Sequence, residues 1–217
     1  MEFEADGAES KVVFRDHIYK YRNSNVTMLR SGWYFHSEEV LRYLYWKMEP
    51  GEVVVDAGAC YGSYTIPALL QGATVYAYEP YPPLYEELKY NVEVNGLSSN
   101  LKAVDKALWS TSGQIFALPR YDLSVLRRKG DNQPIINVST VTLDDDLNDL
   151  TRLDWIKIDT EGAEIEILKG ARQLIEKFNP RILVEWHADR NQDPEMKYLE
   201  GWKIQEIDPG HYLVQLK

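Results

Sequence analysis

The sequence predicts an α/β fold: one doubly wound, mostly parallel sheet with a C-terminal antiparallel hairpin, preceded by a small N-terminal layer. Three observations carry this. Val53-Val54-Val55 is an unbroken β-branched run that turns through Gly58 and Gly62 into an apolar segment, Ile66 to Leu70. That is the pattern of a buried strand, a tight loop and a helix start. Strand-like and helix-like segments then alternate along the chain, and continuous apolar strands belong mostly to parallel sheets covered on both faces. Last, two strand-like runs flank Asp208-Pro209-Gly210 near the C-terminus, which reads as a hairpin.

The elements follow in order. Residues 1–10 are rich in Glu, Asp, Gly and Ser and are expected as a disordered tail. Residues 11–50 are expected as a hairpin and helix layer. Its strands are Lys11–Tyr19 and Val26–Leu29, with Asn23-Ser24-Asn25 as the turn. Ser37 caps a helix carrying Val40, Leu41, Leu44 and Tyr45, and Glu49-Pro50-Gly51 ends it. Residues 51–217 are expected as the main domain. Its first strand is Glu52–Ala57, followed by a helix over 62–70, a strand over 74–79 and a helix over 82–95. Pro82 suits a first helical turn and Gly96 a helix stop. A strand over 101–107 precedes an insertion, 110–143, with short strands at 113–118 and 139–143. Regular alternation resumes with a strand over 154–159. A helix over 162–178 carries Ile165, Leu168, Ala171, Leu174 and Ile175 at helical spacing. A strand over 181–186, a short helix over 194–199 and the hairpin complete the chain.

Composition narrows the function. At 217 residues, with 44% hydrophobic and 27% charged residues, the chain suits one globular domain. A net charge of −10 argues against a nucleic-acid partner, because backbone binding relies on Lys and Arg. The single cysteine, Cys60, excludes an internal disulfide. Met1–Ser10 is acidic and lacks an apolar core, so no signal peptide is expected there, and no stretch has the roughly 20 apolar residues of a membrane span. A cytoplasmic location without membrane contact is the expectation.

Open α/β sheets bind ligands at the carboxyl ends of their strands. Those ends bring forward Asp56, Glu79, Asp105, Asp159 with Glu161, and Glu185 with His187. Glu79 lies about twenty residues beyond the glycine loop, where an acid in nucleotide-type sites bonds ribose hydroxyls. The loop is not a dinucleotide fingerprint. Counting from Gly58, the second and third glycines of G-x-G-x-x-G are replaced by Cys60 and Ser63. Asp56-x-Gly58-x-x-x-Gly62 instead resembles the first motif of methyltransferases that use S-adenosylmethionine (SAM), a cofactor without phosphates.

The resemblance sharpens over residues 50–187. Val54-Val55-Asp56-Ala57-Gly58-Ala59, Tyr78-Glu79-Pro80, Leu143-Asp144, Ile156 to Glu164, Leu168-Lys169-Gly170 and Glu185-Trp186-His187 together resemble the FkbM family of SAM-dependent methyltransferases. The Ile-Asp-x-Glu-Gly-x-Glu segment is the most distinctive part, and Cys60 departs from the Asn expected after Gly-Ala. The resemblance implies a Rossmann-like class I methyltransferase sheet and O-methylation of a hydroxyl on a sugar, polysaccharide or small natural product. It implies a SAM site built from Asp56, Gly58, Ala59, Cys60, Tyr61, Gly62, Glu79, Pro80, Asp105, Ala107 and Asp159.

Transfer from a sulfonium needs alignment and, for an unactivated hydroxyl, a base. Asp159, Glu161, Glu185 and His187 are the candidates, and no ligand spacing calls for a metal. Two other readings compete. One is a nucleic-acid methyltransferase, suggested by Asn91 and Asn95 but disfavoured by Asp159-Thr160-Glu161-Gly162 standing where an Asn/Asp-Pro-Pro-Tyr/Phe motif would be. The other is a non-catalytic SAM-binding protein, disfavoured by the retained acids. Residues 119–138, polar and cationic, and the aromatic run Trp33-Tyr34-Phe35 are expected to form a lid over the acceptor.

Overall fold

The computed structural model describes residues 3–6, 9–14, 17–22, 45–119, 135–186 and 194–217. Its centre is a seven-stranded sheet in the order β12-β13-β11-β10-β4-β5-β6. The strands are β4 (Val53–Ala57), β5 (Thr74–Tyr78), β6 (Leu101–Val104), β10 (Trp155–Ile158), β11 (Arg181–Glu185), β12 (Lys203–Asp208) and β13 (His211–Gln215). The parallel pairings run from β6 to β11, and β13 alone runs antiparallel, between β11 and β12. The expected doubly wound sheet with a terminal hairpin is therefore the fold.

The Val53–Ala57 run is continuous because both of its faces are buried. Val54 and Val75 pack into one core with Trp46, Leu88, Val92 and Trp155. Val55, Ala57, Ile156 and Ile158 pack into the other with Leu168, Ile175 and Trp202. Helix α1 (Thr65–Leu70) and helix α2 (Pro82–Val94) follow β4 and β5. Trp46 is fully buried, and its indole Nε1–H donates to the Tyr64 carbonyl at 3.0 Å, closing this side of the core.

Several elements differ from expectation. The first ten residues are not wholly a tail: β1 (Phe3–Asp6) pairs with β2 (Glu9–Phe14), and β2 pairs with β3 (His17–Arg22). Acidic composition hid the pairing. The register joins Phe14 to His17, so the single strand expected over Lys11–Tyr19 is divided between β2 and β3, and the turn expected at Asn23–Asn25 lies outside the described residues. Val26–Leu29, Trp33-Tyr34-Phe35 and most of the helix begun at Ser37 lie outside the described residues, while residues 46–49 are not helical.

Helix α1 starts later than Gly62, whose φ of +99° no helix accepts. The helix expected over 162–178 is two: α4 (Glu164–Gly170) and α5 (Arg172–Phe178). The break has two tertiary causes. A Cβ on Gly170 would lie 2.2 Å from the Trp109 carbonyl oxygen, so the glycine admits a neighbouring backbone. The Asp144 carboxylate accepts from the Gln173 and Leu174 N–H groups at 3.0 and 2.9 Å, starting a new helix there. Asp144 belongs to helix α3 (Leu143–Asp146), capped by Thr142.

The insertion forms a small sheet of its own, β7-β9-β8, from β7 (Ala107–Leu108), β8 (Ile115–Pro119) and β9 (Ile135–Val141). The strand expected over 101–107 is thus divided between two sheets. Residues 120–134, the middle of the expected lid, lie outside the described residues.

Candidate active site

The carboxyl ends of β4, β5 and β10 meet at a cavity of about 440 Å³, within the range of small-molecule sites. Gly58, Cys60, Glu79 and Pro80 line one side, and Asp159 to Ala163 the other. Ala107, Leu108 and Trp109 with Phe116 and Leu118 close it with an apolar wall from the inserted sheet.

The loop after β4 is fixed from within. The Gly58 and Ala59 N–H groups both donate to the Tyr78 carbonyl at 3.0 Å, and the Gly62 N–H donates to Ala59 O at 2.8 Å. The Cys60 N–H donates to Glu79 Oε2 at 2.9 Å. These donors are spent inside the protein, so they do not form the cradle a pyrophosphate requires. Gly58 is needed for a steric reason: at φ +75° it runs so close to the β10 loop that a Cβ would sit 1.9 Å from the Asp159 carbonyl oxygen. Cys60 itself holds φ +52°, a left-handed conformation that Asn adopts more readily, and burial pushes its thiol pKa up.

Glu79 is the most constrained acid. It is 6% exposed, and its second oxygen, Oε1, accepts from the Tyr81 N–H at 2.9 Å. Burial pushes its pKa from the ordinary 4.5 up to about 7, against the downward pull of the two backbone N–H groups. Each oxygen retains a lone pair for a hydroxyl donor.

On the opposite side Asp159 is 22% exposed and 3.3 Å from the Lys157 ammonium. Glu161 is exposed at the rim with φ +58°, a strained backbone for a non-glycine residue. Glu164 is buried beneath them. Its Oε1 accepts from the Gly162 N–H at 2.9 Å and from Thr160 Oγ1 at 3.4 Å, which shapes the turn carrying Glu161.

The other expected residues fall away from the cavity wall. Asp56 is fully buried beneath the loop, where it accepts from Thr65 Oγ1 at 2.6 Å. Ala59 and Tyr61 are buried supports, and the Tyr61 carbonyl accepts from Asn91 Nδ2 at 2.9 Å. Asn91 thus anchors the loop to α2. Asp105 is exposed and does not line the cavity, although its neighbours Lys106 and Ala107 do. Glu185 faces His211, 3.4 Å from its Nε2, and is also absent from the lining. His187 lies outside the described residues. Lys157 was not foreseen as a site residue. Its signal is a lone cation inside the apolar strand Trp155-Ile156-Lys157-Ile158.

The sequence model for the methyltransferase FkbM domain matches residues 56–207. The chain belongs to the FkbM methyltransferase family. As an FkbM methyltransferase it is a SAM-dependent enzyme with a Rossmann-like class I sheet. It is 25% identical to the hexuronic acid methyltransferase AglP of Haloferax volcanii, over 77% of this chain and 69% of that protein. It is also 25% identical to the methyltransferase sdnD of Sordaria araneosa, over 67% of this chain and 70% of that protein. Among solved structures, an FkbM methyltransferase from Methylobacillus flagellatus superimposes with a TM-score of 0.56 and 18% identity. That match covers 78% of this chain but only 44% of the other, so the chain spans less than half of that protein and shares its fold. No helix among the described residues is long and apolar enough to cross a membrane.

Proposed function

We propose that this FkbM enzyme methylates a hydroxyl group on a sugar, a polysaccharide or a small natural product. The single observation that carries the reading is the two-sided cavity, with buried Glu79 on one wall and Asp159 and Glu161 on the other. SAM fits the first wall. Bound SAM would be held by Glu79 at its ribose hydroxyls, by Gly58 and Cys60 at its amino-acid end, and by Pro80, Ala107 and Leu108 beside its adenine. A cavity walled by three acids also favours a cationic ligand over an anionic one. When bound, SAM supplies a methyl carbon activated by a positively charged sulfur.

The chain's own residues do the rest. Asp159 is the proton acceptor for the attacking hydroxyl: it lines the cavity, is partly exposed and stands beside a buried ammonium that favours its ionised form. Glu161, held at the rim by the Glu164-braced turn, orients the acceptor by accepting a hydrogen bond from a second hydroxyl. The apolar wall from Trp109 and Phe116 excludes water beside the reacting groups. The likeness to a hexuronic acid methyltransferase supports a carbohydrate acceptor.

Incubation with methyl-deuterated SAM and a panel of neutral sugars, hexuronic-acid oligosaccharides and phenols tests this. Mass spectrometry should find the labelled methyl as an ether on oxygen. Label on nitrogen or carbon in place of oxygen would refute the hydroxyl assignment.

A further inference from the structure

Lys157 occupies the middle of β10, and its side chain is 4% exposed. A lysine buried so deeply requires oxygens around it. Its ammonium donates to the Gly58 carbonyl at 3.0 Å and lies 3.3 Å from Asp159 Oδ2 and 3.5 Å from Asp56 Oδ1. The Tyr64 ring lies 5.0 Å from it. Asp56 Oδ1 is buried without a hydrogen-bond donor, so the ammonium charge is what compensates it.

Holding β4 to β10 does not require this arrangement. The parallel ladder from Trp155 to Ile158 against Val54 to Ala57 already joins them. Buried ion pairs, moreover, add little net stability over an apolar residue of the same size. What a lysine does here that a methionine cannot is fix charge and direction on both walls of the cavity at once. Among the described residues, the groups facing it include Asp56 from β4, Asp159 after β10, Glu79 at the end of β5 and the Cys60 thiol of the loop.

We propose that Lys157 is the positioning residue of the site: from beneath the cavity it orients Asp159, holds it as a carboxylate, and locks the Gly58 peptide of the cofactor loop. The catalytic consequence rests on Asp159 being the proton acceptor. The positioning itself does not.

The test is a carbon-13 NMR titration of the Asp159 carboxyl in the full chain, with the signal assigned by its loss in Asp159→Asn. Calorimetry with S-adenosylhomocysteine accompanies it. In Lys157→Met the Asp159 midpoint should rise by about 1–3 pH units, and S-adenosylhomocysteine should bind about three- to tenfold more weakly. A merely structural lysine would lower thermal stability and leave S-adenosylhomocysteine affinity where it was. If Lys157→Met does not fold, Asp56→Asn with Lys157→Met removes both members of the buried pair and gives the same two readouts. An unmoved midpoint in whichever variant folds overturns the proposal. Full methylation by Asp159→Asn, alongside a raised midpoint in Lys157→Met, would retain the positioning and overturn the base assignment instead.

Discussion

Glu79→Gln should make the free enzyme more stable relative to wild type as pH rises. Burial is the reason. The folded protein holds the Glu79 proton up to about pH 7, whereas the unfolded chain releases it near 4.5. Between those values the folded state binds more protons, so wild-type stability falls as pH increases and levels off above 7. At about 1.4 kcal/mol per pH unit, the full loss is about 3 kcal/mol. Glutamine does not titrate and has the shape of the protonated acid. Unlike that acid, whose hydroxyl oxygen can still accept, it turns an amide nitrogen toward the N–H of Cys60 or Tyr81, a penalty of roughly 1–3 kcal/mol at every pH. That penalty is constant with pH, so only the wild-type charge cost changes the difference between the two proteins from pH 5 to pH 8. Urea unfolding at both values should show the stability difference, variant minus wild type, growing by about 2–3 kcal/mol from pH 5 to pH 8. Parallel pH profiles would mean that Glu79 is ionised at no such cost, and the reasoning would be refuted. Bound SAM favours the carboxylate, so wild-type affinity should also rise through pH 7 and that of Glu79→Gln should not.

Three further predictions follow from the same geometry. Gly58→Ala forces a Cβ onto the Asp159 carbonyl in a positive-φ conformation and should cost roughly 2–5 kcal/mol. Gly113→Ala, with φ +81° but nothing within 4 Å, should cost only about 1–2 kcal/mol. Equal melting temperatures for these two variants would contradict the close approach. Asn91→Ala should lower stability by about 1–3 kcal/mol yet leave turnover per folded molecule unchanged. A fall in turnover without loss of stability would give Asn91 a role in the chemistry. Asp159→Asn and Glu161→Gln should each reduce turnover, Asp159→Asn by roughly 10²–10⁴, with S-adenosylhomocysteine affinity nearly intact. A wild-type rate in Asp159→Asn would remove the proton acceptor from the mechanism, and one in Glu161→Gln would remove the orienting contact.

The fold was legible because its signals are local. Val53–Val55, the glycines and the strand–helix alternation each reflect burial on both faces of one sheet. Glu79, Pro80, Asp159 and Glu161 were legible as cavity residues because strand ends locate the ligand side of the sheet. Strand ends do not say which way a side chain points. Asp105 and Glu185 share that address, yet one is exposed and the other turns to His211. The division of the helix at Ala171 was hidden because its causes, the Trp109 carbonyl and the Asp144 carboxylate, come from distant segments. Helical periodicity alone runs straight through that position. Lys157 was readable in principle, since a single lysine within an apolar strand needs partners. Asp56 and Asp159 supply them, but only folding shows that they converge.

Calorimetric titration of SAM into wild type and Glu79→Ala tests the central claim most directly. Wild type should bind one SAM per chain. Glu79→Ala should retain its fold and bind at least about tenfold more weakly, since charge-assisted bonds to ribose hydroxyls contribute about 1.5–3 kcal/mol each. Equal affinity in the two proteins, or no binding by wild type, would contradict the assignment of this cavity as the cofactor site.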